Sequence, residues 1–370
     1  MKHKNIGIDA HVLGDHSGGN ESYYHNILLH FVSLGENYTL YLFVKNDVDT
    51  TQYPPIFNIV RFKSKNAFSR NFIELPHFVR KYKLDLLHTQ YFIPFKINCK
   101  IACTIHDICF EHFDNIFNKK QFYTQKLLIP YAAKHSDVIF TVSEHAKIDI
   151  AEKYKINNKK IIVTYNAVNN QFRRLTADEL NQTELKNKFK ISSDGYILSV
   201  GNLQPRKNLV RLIMAFKDIH IKNQDINLVI VGKKAWMFES IISEALDESI
   251  CNNVIFTDYV SEDDLIRLYN GAKCFVYPSY YEGFGIPPLE AMACQTPVAV
   301  SNATSLPEVC GDAAVYFDPY DVNDMAKTIE SILADEEKSE VLVERGKKRV
   351  DAFSWRKTSI LIESTYKQLL

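Results

Sequence analysis

Short apolar runs alternate with amphipathic stretches along most of the chain. The apolar runs have the length of buried strands, and the stretches between them have the apolar spacing of helices. This alternation predicts an α/β fold with parallel sheets. In the first half, strands are expected near residues 5–9, 38–44, 57–62, 84–88, 100–105, 137–142 and 160–164. Helices are expected there near residues 20–34, 69–82, 120–135 and 144–154.

A polar and charged segment at 169–193 interrupts the pattern and predicts a linker region. A second series then begins with a buried strand at 196–201 and a helix from about residue 207. Further strands are expected near residues 227–232, 254–257, 274–277, 297–300 and 314–317. The simplest architecture is two successive Rossmann-like units with a cleft between them.

We therefore predict an N-terminal domain at 1–185 and a C-terminal domain at 186–352. The last segment, 353–370, has the pattern of an amphipathic helix with Trp355 near its start. From its pattern alone this helix fits on the second domain or back on the first.

Charge adds an asymmetry to this picture. The 370 residues contain 44 Lys and Arg against 44 Asp and Glu, so the net charge is zero. This balance gives no overall basic surplus of the kind that binds nucleic acid. Residues 1–185, however, hold 23 basic and 18 acidic side chains, and the second half has the opposite excess.

Cysteine usage and the N-terminus indicate where the protein works. The seven cysteines are odd in number and form no CxxC pair, which favours a reducing compartment over a disulfide framework. Residues 1–4 lead directly into an apolar run that is shorter than the core of a signal peptide. No stretch approaches the roughly 20 apolar residues of a membrane span. We therefore expect a cytoplasmic protein that meets a membrane, if at all, at its surface.

The strongest local motif runs from Tyr280 to Ala291. Because each proline restricts the residue before it, the helix should begin at Pro288, after a loop at 282–285. The two loop glycines allow close backbone approach to a ligand, and N–H groups at a helix start suit phosphate or sugar oxygens. Glu282 and Glu290 would accept hydrogen bonds from sugar hydroxyls. The alternative for Glu290 is that an acid in the first turn simply stabilises the helix.

A second motif, at 201–209, joins a strand to a helix and places Arg206 and Lys207 at the helix N-terminus. The macrodipole disfavours cations there, so the pair indicates a compensating anion, most simply a diphosphate. The alternative is a solvated pair of surface cations.

Two weaker motifs lie in the first half. The glycine-rich segment 14–20 follows the first strand and could accept a phosphate, or could be a flexible turn. His106 and Asp107 follow a strand whose carboxyl end is a usual ligand position in open α/β sheets. His106 could bind a sugar hydroxyl with Asp107 orienting it, although such a pair is more often structural. We expect no metal site, and interpret Asp47 and Asp49 as part of a solvated turn.

These motifs together resemble family 4 retaining glycosyltransferases. Glu282 and Glu290 match the family's E-x7-E spacing, and the resemblance is dense over about 195–320. The first half matches more loosely. The motifs that carry the resemblance are Gly201–Leu203 with Arg206–Asn208, Asp258–Leu265, Tyr277–Ser279, Glu282–Gly285, Leu306–Val309, Gly18–Gly19, His106–Asp107 and Ser143–Glu144. The stretch at 104–107 is most similar to bacterial mannosyltransferases that build O-antigen-type polysaccharides.

The resemblance implies a GT-B fold, with the nucleotide-sugar donor in the C-terminal domain and the acceptor mainly in the N-terminal one. It also implies that the last helix crosses back to the first domain. Arg206 and Lys207 would bind the donor diphosphate, and Glu290 the ribose hydroxyls. The other implied donor residues are Gly201, Asn202, Glu282, Gly283, Phe284, Gly285 and Ile286 around the sugar and diphosphate, and Tyr259, Val260 and Leu265 around the base. His106 would approach the sugar from the N-terminal side, and Gly18, Gly19 and Asp107 the acceptor or phosphate.

Two departures from the family pattern lie in or near the first domain. Asn20 and Glu21 follow Gly18–Gly19 where the family often has a further glycine and an arginine. Ala167 stands where the family usually has the glycine of Asn-Gly-Val. Neither change falls in the predicted donor site.

The expected function is therefore retaining transfer of a hexose, taken as mannose from GDP-mannose, to a saccharide or lipid-linked saccharide, without metal or other cofactor. Peripheral contact with an anionic membrane is a further expectation. The alternatives are a UDP-sugar donor, a degenerate protein that binds sugar nucleotide or glycan without turnover, and a dinucleotide-dependent oxidoreductase or epimerase. The last of these would need a G-x-G-x-x-G turn after the first strand, and the sequence has none there.

Overall fold

A computed structural model of the chain describes residues 2–15, 18–32, 34–113, 119–193, 195–235 and 238–370. It divides into two compact units. Unit 1 consists of Met1–Asn166 and Ser354–Leu370, and unit 2 of Ala167–Phe353. The boundary at 166/167 lies about twenty residues before the one drawn from the sequence at 185/186.

Unit 1 contains a parallel sheet. Its strands are β1 (Lys4–Asp9), β2 (Tyr38–Val44), β3 (Phe57–Arg61), β4 (Leu86–Gln90), β5 (Lys100–Thr104), β6 (Val138–Thr141) and β7 (Ile161–Val163). They lie in the order β3-β2-β1-β4-β5-β6-β7. The inner strands are buried almost throughout, because helices cover both faces of such a sheet, and this is why they read as continuous apolar runs in the sequence.

The first five helices lie in unit 1. They are α1 (Gly19–Leu29), α2 (Ala67–Ser69), α3 (Leu75–Lys81), α4 (Lys119–His135) and α5 (Glu144–Tyr154). The single helix expected at 69–82 is instead α2 and α3 joined by a π-helical turn at Arg70–Glu74. Pro76 lies in the first turn of α3, and its missing N–H cannot continue a regular α-helical ladder from the preceding turn.

Unit 2 contains the second parallel sheet. Its strands are β8 (Gly195–Val200), β9 (Ile226–Val231), β10 (Val254–Phe256), β11 (Cys274–Tyr277), β12 (Val298–Ser301) and β13 (Val315–Phe317), in the order β10-β9-β8-β11-β12-β13. Its helices are α6 (Ala177–Leu180), α7 (Gln182–Phe189), α8 (Leu209–Lys222), α9 (Glu239–Ala245), α10 (Glu262–Gly271), α11 (Ile286–Ala293), α12 (Leu306–Cys310), α13 (Val322–Leu333) and α14 (Glu336–Val350). All the strands expected from the sequence in both units are present, and the predicted fold class is confirmed.

The segment 169–193 is part of unit 2, and its interpretation as a linker was wrong. The side chain of Asn270 on α10 makes two hydrogen bonds to this segment. Its Oδ1 accepts from the Leu175 N–H (2.8 Å), and its Nδ2 donates to the Arg173 carbonyl (2.9 Å). Leu185 of α7 is buried, and Lys188 donates to both carboxylate oxygens of Asp264 at 2.8 Å. These contacts are mainly hydrogen bonds and ion pairs. They leave no apolar pattern in the sequence from which the packing of the segment could be predicted.

The last helix, α15 (Trp355–Leu369), belongs to unit 1. Tyr366 Oη lies 2.5 Å from Nδ1 of the buried His88 on β4, whose Nε2 lies 2.7 Å from Thr104 Oγ1 on β5. Ser359 Oγ donates to the Ile27 carbonyl (2.8 Å), and Glu363 accepts from the Val32 N–H (2.8 Å). Trp355 packs edge to face against Tyr23 of α1. The helix is thus bonded to both the sheet and α1.

In each sheet the strand order reverses at one point. The chain adds strands toward one edge of the sheet before this point and toward the opposite edge after it. In unit 1 this point lies between β1 and β4, and in unit 2 between β8 and β11. Loops that leave the carboxyl ends of such neighbouring strands diverge to opposite faces and leave room for a ligand. In unit 2 the two loops concerned are those at 201–208 and 278–285, which carry the two strongest motifs of the sequence.

Candidate active site

The loop after β8 forms a 3-10 turn at Pro205–Lys207, and α8 begins only at Leu209. Arg206 and Lys207 therefore precede the helix. This differs from the prediction, which placed both residues at the helix N-terminus. Asn208 separates the two elements with φ 55°, and its Nδ2 donates to the carbonyls of Pro278 (3.0 Å) and Pro319 (2.7 Å). These bonds fasten the loop after β8 to the loops after β11 and β13.

Glu282 brings the two motifs of unit 2 together. Its Oε1 accepts from Lys207 Nζ at 2.6 Å, and its Oε2 accepts from Arg206 Nη1 at 2.9 Å. Arg206 Nη1 also donates to the Tyr281 carbonyl (2.9 Å), and Lys207 Nζ donates to Tyr277 Oη (2.6 Å). The anion inferred from the sequence to balance the two cations is thus present in the chain itself, as a buried carboxylate.

Electrostatics keeps this carboxylate ionised. Burial by itself would raise the pKa of Glu282, but the charges of Arg206 and Lys207 outweigh it and lower the pKa to about 2. The two cations share one anion, so the cluster carries a net charge of +1. Such a cluster can attract and hold a further anionic group.

The backbone around Glu282 is fixed by the next loop of the sheet. The Glu282 N–H donates to Thr304 Oγ1 (3.0 Å), and Ser305 Oγ donates to the carbonyls of Glu282 and Phe284, both at 2.9 Å. Gly285 caps α11 with φ 100°, and a Cβ there would lie 2.7 Å from Leu306 Cδ2. Gly283 and Phe284 are buried within the same loop. No pattern in the sequence indicated the part played by Thr304 and Ser305, since they follow a different strand, β12.

Gly201 makes room for the lysine. A Cβ at Gly201 would lie 3.2 Å from Lys207 Cε, so the lysine stem runs past the end of β8 close to the backbone. Asn202, the next residue, is exposed.

The helix α11 begins two residues earlier than the sequence predicted. Ile286 is its first residue, and Pro287 and Pro288 occupy the first turn, where their missing N–H groups have no intrahelical partner to lose. Glu290 therefore lies beyond the first turn, where helix-dipole stabilisation has fallen off. Stabilisation of the helix by an acid in its first turn, the alternative that the sequence left open, therefore does not account for Glu290.

Glu290 is half-buried, and Tyr269 Oη donates to its Oε2 at 2.8 Å. Burial raises the pKa of Glu290 to about 7, against the lowering effect of the Tyr269 hydrogen bond and with a smaller raising effect from the charge of Glu262. Glu262 opens α10, whose other end supplies Tyr269. Near neutral pH this carboxyl group can both donate and accept hydrogen bonds.

The residues expected around a base lie at the carboxyl end of β10 and on α10. Tyr259 is exposed, and Lys233 Nζ stands 4.6 Å from its ring centroid. Val260 is buried, and Leu265 is half-buried in the first turn of α10. Tyr259 precedes α10, and Leu265 and Tyr269 lie on it. Because Tyr269 donates to Glu290, this helix links the residues expected around the base to Glu290.

In unit 1 His106 is buried and neutral. Its Nε2 lies 2.7 Å from Gln90 Nε2, and the ring meets Tyr23 edge to face at 4.9 Å. An amide nitrogen donates, so in this arrangement the imidazole accepts at Nε2 and carries its proton on Nδ1. Desolvation lowers the pKa of His106 to about 3. Asp107 accepts from the Cys109 N–H (3.0 Å), which stabilises the following 3-10 turn.

The glycine-rich loop after β1 is described only in part, and His16 and Ser17 lie outside the described residues. Gly18 precedes α1 with φ 73°, and a Cβ at Gly18 or Gly19 would meet no atom within 4 Å in the described structure. Glu21, in the first turn of α1, accepts from the Gly14 N–H at 2.7 Å. The negative charge of this carboxylate would repel a phosphate at the loop. Hydroxyl groups fit the loop better, because they can donate hydrogen bonds to the carboxylate.

The pair Asp9–His11, also at the end of β1, was not predicted. His11 Nδ1 lies 3.0 Å from both carboxylate oxygens of the buried Asp9. Asp47 lies in an exposed turn, and Asp49, also exposed, accepts from Thr51 N–H (2.9 Å) and Oγ1 (2.8 Å). Across the described ranges of the chain, no three His, Cys, Asp or Glu side chains group as metal ligands. None of the described helices is both long and apolar enough to cross a bilayer.

Two family models match the chain, one in each unit. Residues 17–172 match the glycosyltransferase family 4 model, and residues 181–349 match the model of glycosyl transferases group 1. Together they span most of both units, and the second covers every residue of the Arg206–Lys207–Glu282 cluster.

Relatives with assigned names point the same way. The chain is 33% identical over 278 residues to the serotype-specific mannosyltransferase WbdA of Escherichia coli, which is 73% of this chain but 34% of that protein. It is 29% identical over 294 residues to O-antigen chain mannosyltransferase B of Escherichia coli, covering 79% of this chain and 76% of that protein. The match thus spans about a third of WbdA and three quarters of the second relative.

Among solved structures, sucrose-phosphate synthase from Thermosynechococcus elongatus superposes with a TM-score of 0.79 at 19% identity, over 99% of both chains. This likeness concerns the fold and supports two Rossmann-like units of the GT-B type. With both family models matched and the relatives above, the chain belongs to the family 4 glycosyltransferases of GT-B fold.

Proposed function

We propose that this chain is a retaining hexosyltransferase that transfers mannose from GDP-mannose to a saccharide hydroxyl, in the assembly of a bacterial polysaccharide or lipopolysaccharide. The observation that carries the proposal is the convergence of Arg206 and Lys207 on Glu282 between the loops after β8 and β11. Mannosyltransferases among the relatives support mannose as the sugar, and the cluster supports a diphosphate leaving group.

Arg206 and Lys207 bind the donor diphosphate in this proposal. Charge develops on the leaving diphosphate as the glycosidic bond breaks, and donors that are already oriented stabilise it without reorganisation. Glu282 supplies that orientation, since it holds both cations at hydrogen-bonding distance before a donor arrives. Because two fixed cations perform this task, we propose that the reaction needs no metal ion or other cofactor.

The remaining donor contacts follow from the same unit. Glu282 and the backbone of Gly283–Gly285 hold the sugar, Glu290 binds the ribose hydroxyls, and Tyr259, Val260 and Leu265 flank the base. Gly201, Asn202 and Ile286 complete the walls of this site. The sugar passes through an oxocarbenium-like state, and the acceptor hydroxyl attacks from the face that the diphosphate leaves, with no covalent nucleophile.

Unit 1 supplies the acceptor side. Gly18 and Gly19 bind acceptor hydroxyls together with Glu21, whose carboxylate favours hydroxyls over phosphate. His106, neutral and held by Gln90, approaches the donor sugar, and Asp107, which caps the 3-10 turn after it, lies with Gly18 and Gly19 on the acceptor side. The acceptor is a saccharide or a lipid-linked saccharide.

We also propose that the enzyme is cytoplasmic and works at the inner face of the cytoplasmic membrane. Unit 1 contains 24 Lys and Arg against 16 Asp and Glu, a larger excess than the sequence boundary had indicated. Such a unit is attracted to an anionic leaflet, where lipid-linked saccharides are found.

The test is a transfer assay with purified protein, labelled GDP-mannose and a mannose-containing oligosaccharide acceptor, after thermal-shift screening against GDP, UDP, ADP and dTDP sugars. A donor at about 100 times its dissociation constant stabilises the protein by about 2.7 kcal/mol. We expect GDP-mannose to give the largest shift, and a product with retained anomeric configuration. A larger shift with a UDP sugar would replace the donor, and binding without hydrolysis or transfer would indicate a degenerate protein. Binding of NAD but of no sugar nucleotide would contradict the proposal.

A further inference from the structure

A continuous ridge of apolar side chains lies on the surface of unit 1. Phe68 and Phe72 have ring centroids 5.0 Å apart, Phe72 stacks on Phe95 at 4.8 Å, and Phe95 meets Tyr131 of α4 at 4.9 Å. Leu127 and Tyr123 follow on α4 at four-residue intervals, and so lie on the same face of the helix as Tyr131. We call this surface, with Ile73, the apolar ridge.

Four members of the ridge are unusually exposed for their size, while Phe72 and Tyr131 are half-buried. Leu127 is 72% exposed, Tyr123 68%, Phe68 66% and Ile73 60%. Scattered single apolar residues on a surface need no explanation, whereas a connected set that crosses three elements indicates a surface that is covered in use.

The two helical segments that carry most of the ridge hold far more basic than acidic side chains. Helix α4 contains Lys119, Lys120, Lys126 and Lys134 and no acidic residue. The segment 61–74 contains four Lys and Arg and one acidic residue, Glu74, whose carboxylate accepts from the backbone N–H groups of Lys63 and Ser64. Lys65, Lys96, Lys119, Lys120 and Lys134 are all exposed, and none forms a salt bridge within the described part of the chain.

We propose that the apolar ridge and its lysines are the surface by which the protein docks on an anionic membrane. Aromatic and aliphatic side chains enter the region between headgroups and acyl chains, while lysines beside them bind lipid phosphates. Charge selects this occupant, because a second copy of the same basic surface would be repelled. The proposal deepens the membrane contact stated under the proposed function, and it names the surface that makes it.

The test is co-sedimentation of the full chain with vesicles of phosphatidylcholine containing 30% phosphatidylglycerol, against vesicles of phosphatidylcholine alone. We expect binding to the anionic vesicles only, weakened by salt because exposed charges are screened. Leu127→Ser should weaken binding about 5-fold or more. Lys119→Gln with Lys120→Gln should weaken it roughly 10-fold or more, since each lysine near an anionic surface contributes about a 5-fold change in affinity.

Matched controls lie on unit 2. Leu246 is 69% exposed, so Leu246→Ser removes an equally exposed leucine outside the ridge, and Lys327→Gln with Lys348→Gln removes two exposed lysines. These variants should bind vesicles as the native chain does. All variants should keep their melting temperature and their transfer to a soluble acceptor, which separates this proposal from that of the enzymatic activity.

Three results would overturn the proposal. They are absence of binding to anionic vesicles, equal loss of binding in Leu127→Ser and Leu246→Ser, and a native dimer that Leu127→Ser converts to a monomer. The last result would assign the ridge to contact between two copies of the chain.

Discussion

The ammonium of Lys207 lies 2.6 Å from Oε1 of Glu282, and this contact joins loops that follow two adjacent strands of the second sheet. The lysine is nearly buried, and its Nζ also lies 4.7 Å from the centroid of the Tyr277 ring. A cation held by two side chains, Glu282 and Tyr277, has little freedom to move. Glu282 therefore holds Lys207 in place before any ligand binds.

Loss of either cation should abolish most of the turnover. Arg206→Ala and Lys207→Ala are each expected to lower kcat on the order of 10²-fold or more, by analogy with the removal of one oxyanion donor. The measurement is steady-state transfer with the donor identified by thermal shift. Lys222→Ala is the control, since it removes a cation from the far end of α8 that is paired with Glu330. Full activity of Arg206→Ala or Lys207→Ala would contradict the assignment of that residue.

The Lys207–Glu282 pair should also be coupled in stability. Removing one partner of a buried ion pair leaves the other charge buried without compensation. This costs about 3–5 kcal/mol of stability when no second partner remains. Arg206 still pairs with Glu282, so we expect Lys207→Met to cost somewhat less, about 2–3 kcal/mol in urea unfolding. The double variant Lys207→Met with Glu282→Gln should cost less than the sum of the two single ones. Additive losses would mean that the two side chains do not interact in solution.

The inner strands of both sheets were predictable because each is a buried run, whereas the edge strand β3 is mostly exposed or half-buried and is recognisable by its short apolar and β-branched pattern. The pairing of Glu282 with Arg206 and Lys207 was not, because spacing along the chain shows that residues follow strands but not which carboxylate reaches which cation. The partner of Glu290 was missed for the same reason, since Tyr269 comes from another helix. The segment 169–193 was misread because Asn270 binds it through polar contacts that carry no apolar pattern.

Gly285 should tolerate no side chain. Its φ of 100° is unfavourable for L-residues, and an alanine Cβ would lie 2.7 Å from Leu306 Cδ2. Gly285→Ala is therefore expected to cost roughly 1–3 kcal/mol of stability for the backbone alone, with a loss of donor binding as the loop shifts. Gly19→Ala is the control, because its Cβ would meet no described atom within 4 Å. Thermal unfolding and donor titration of both variants measure the difference, and equal behaviour of the two would refute it.

The hydrogen bond of Tyr366 to His88 should contribute measurably to holding α15 on unit 1, beside those of Ser359 and Glu363. Tyr366→Phe keeps the ring but leaves Nδ1 of the buried His88 without its partner, which should cost about 1–3 kcal/mol. Tyr123→Phe, on an exposed tyrosine of the same unit, should cost almost nothing. The loss would be seen as faster hydrogen exchange in α15 and β4, and unchanged exchange there would show that the bond contributes nothing.

Glu290 should make unit 2 less stable as the pH rises. The pKa of this carboxyl is about 7 in the folded chain, against about 4.3 for an unperturbed glutamate. Between these values the folded chain keeps a proton that the unfolded chain has lost, so stability falls as the pH rises from about 4 to 7 and changes no further above that. The loss is of order 3 kcal/mol, and Glu290→Gln, which keeps an oxygen for Tyr269, should abolish it. Urea unfolding of both proteins at pH 5 and pH 8 measures the effect as a difference between them, which cancels the titration of every other group. If the difference between native and Glu290→Gln is the same at both pH values, Glu290 has an ordinary pKa, and a role as a carboxyl group that donates a hydrogen bond is ruled out.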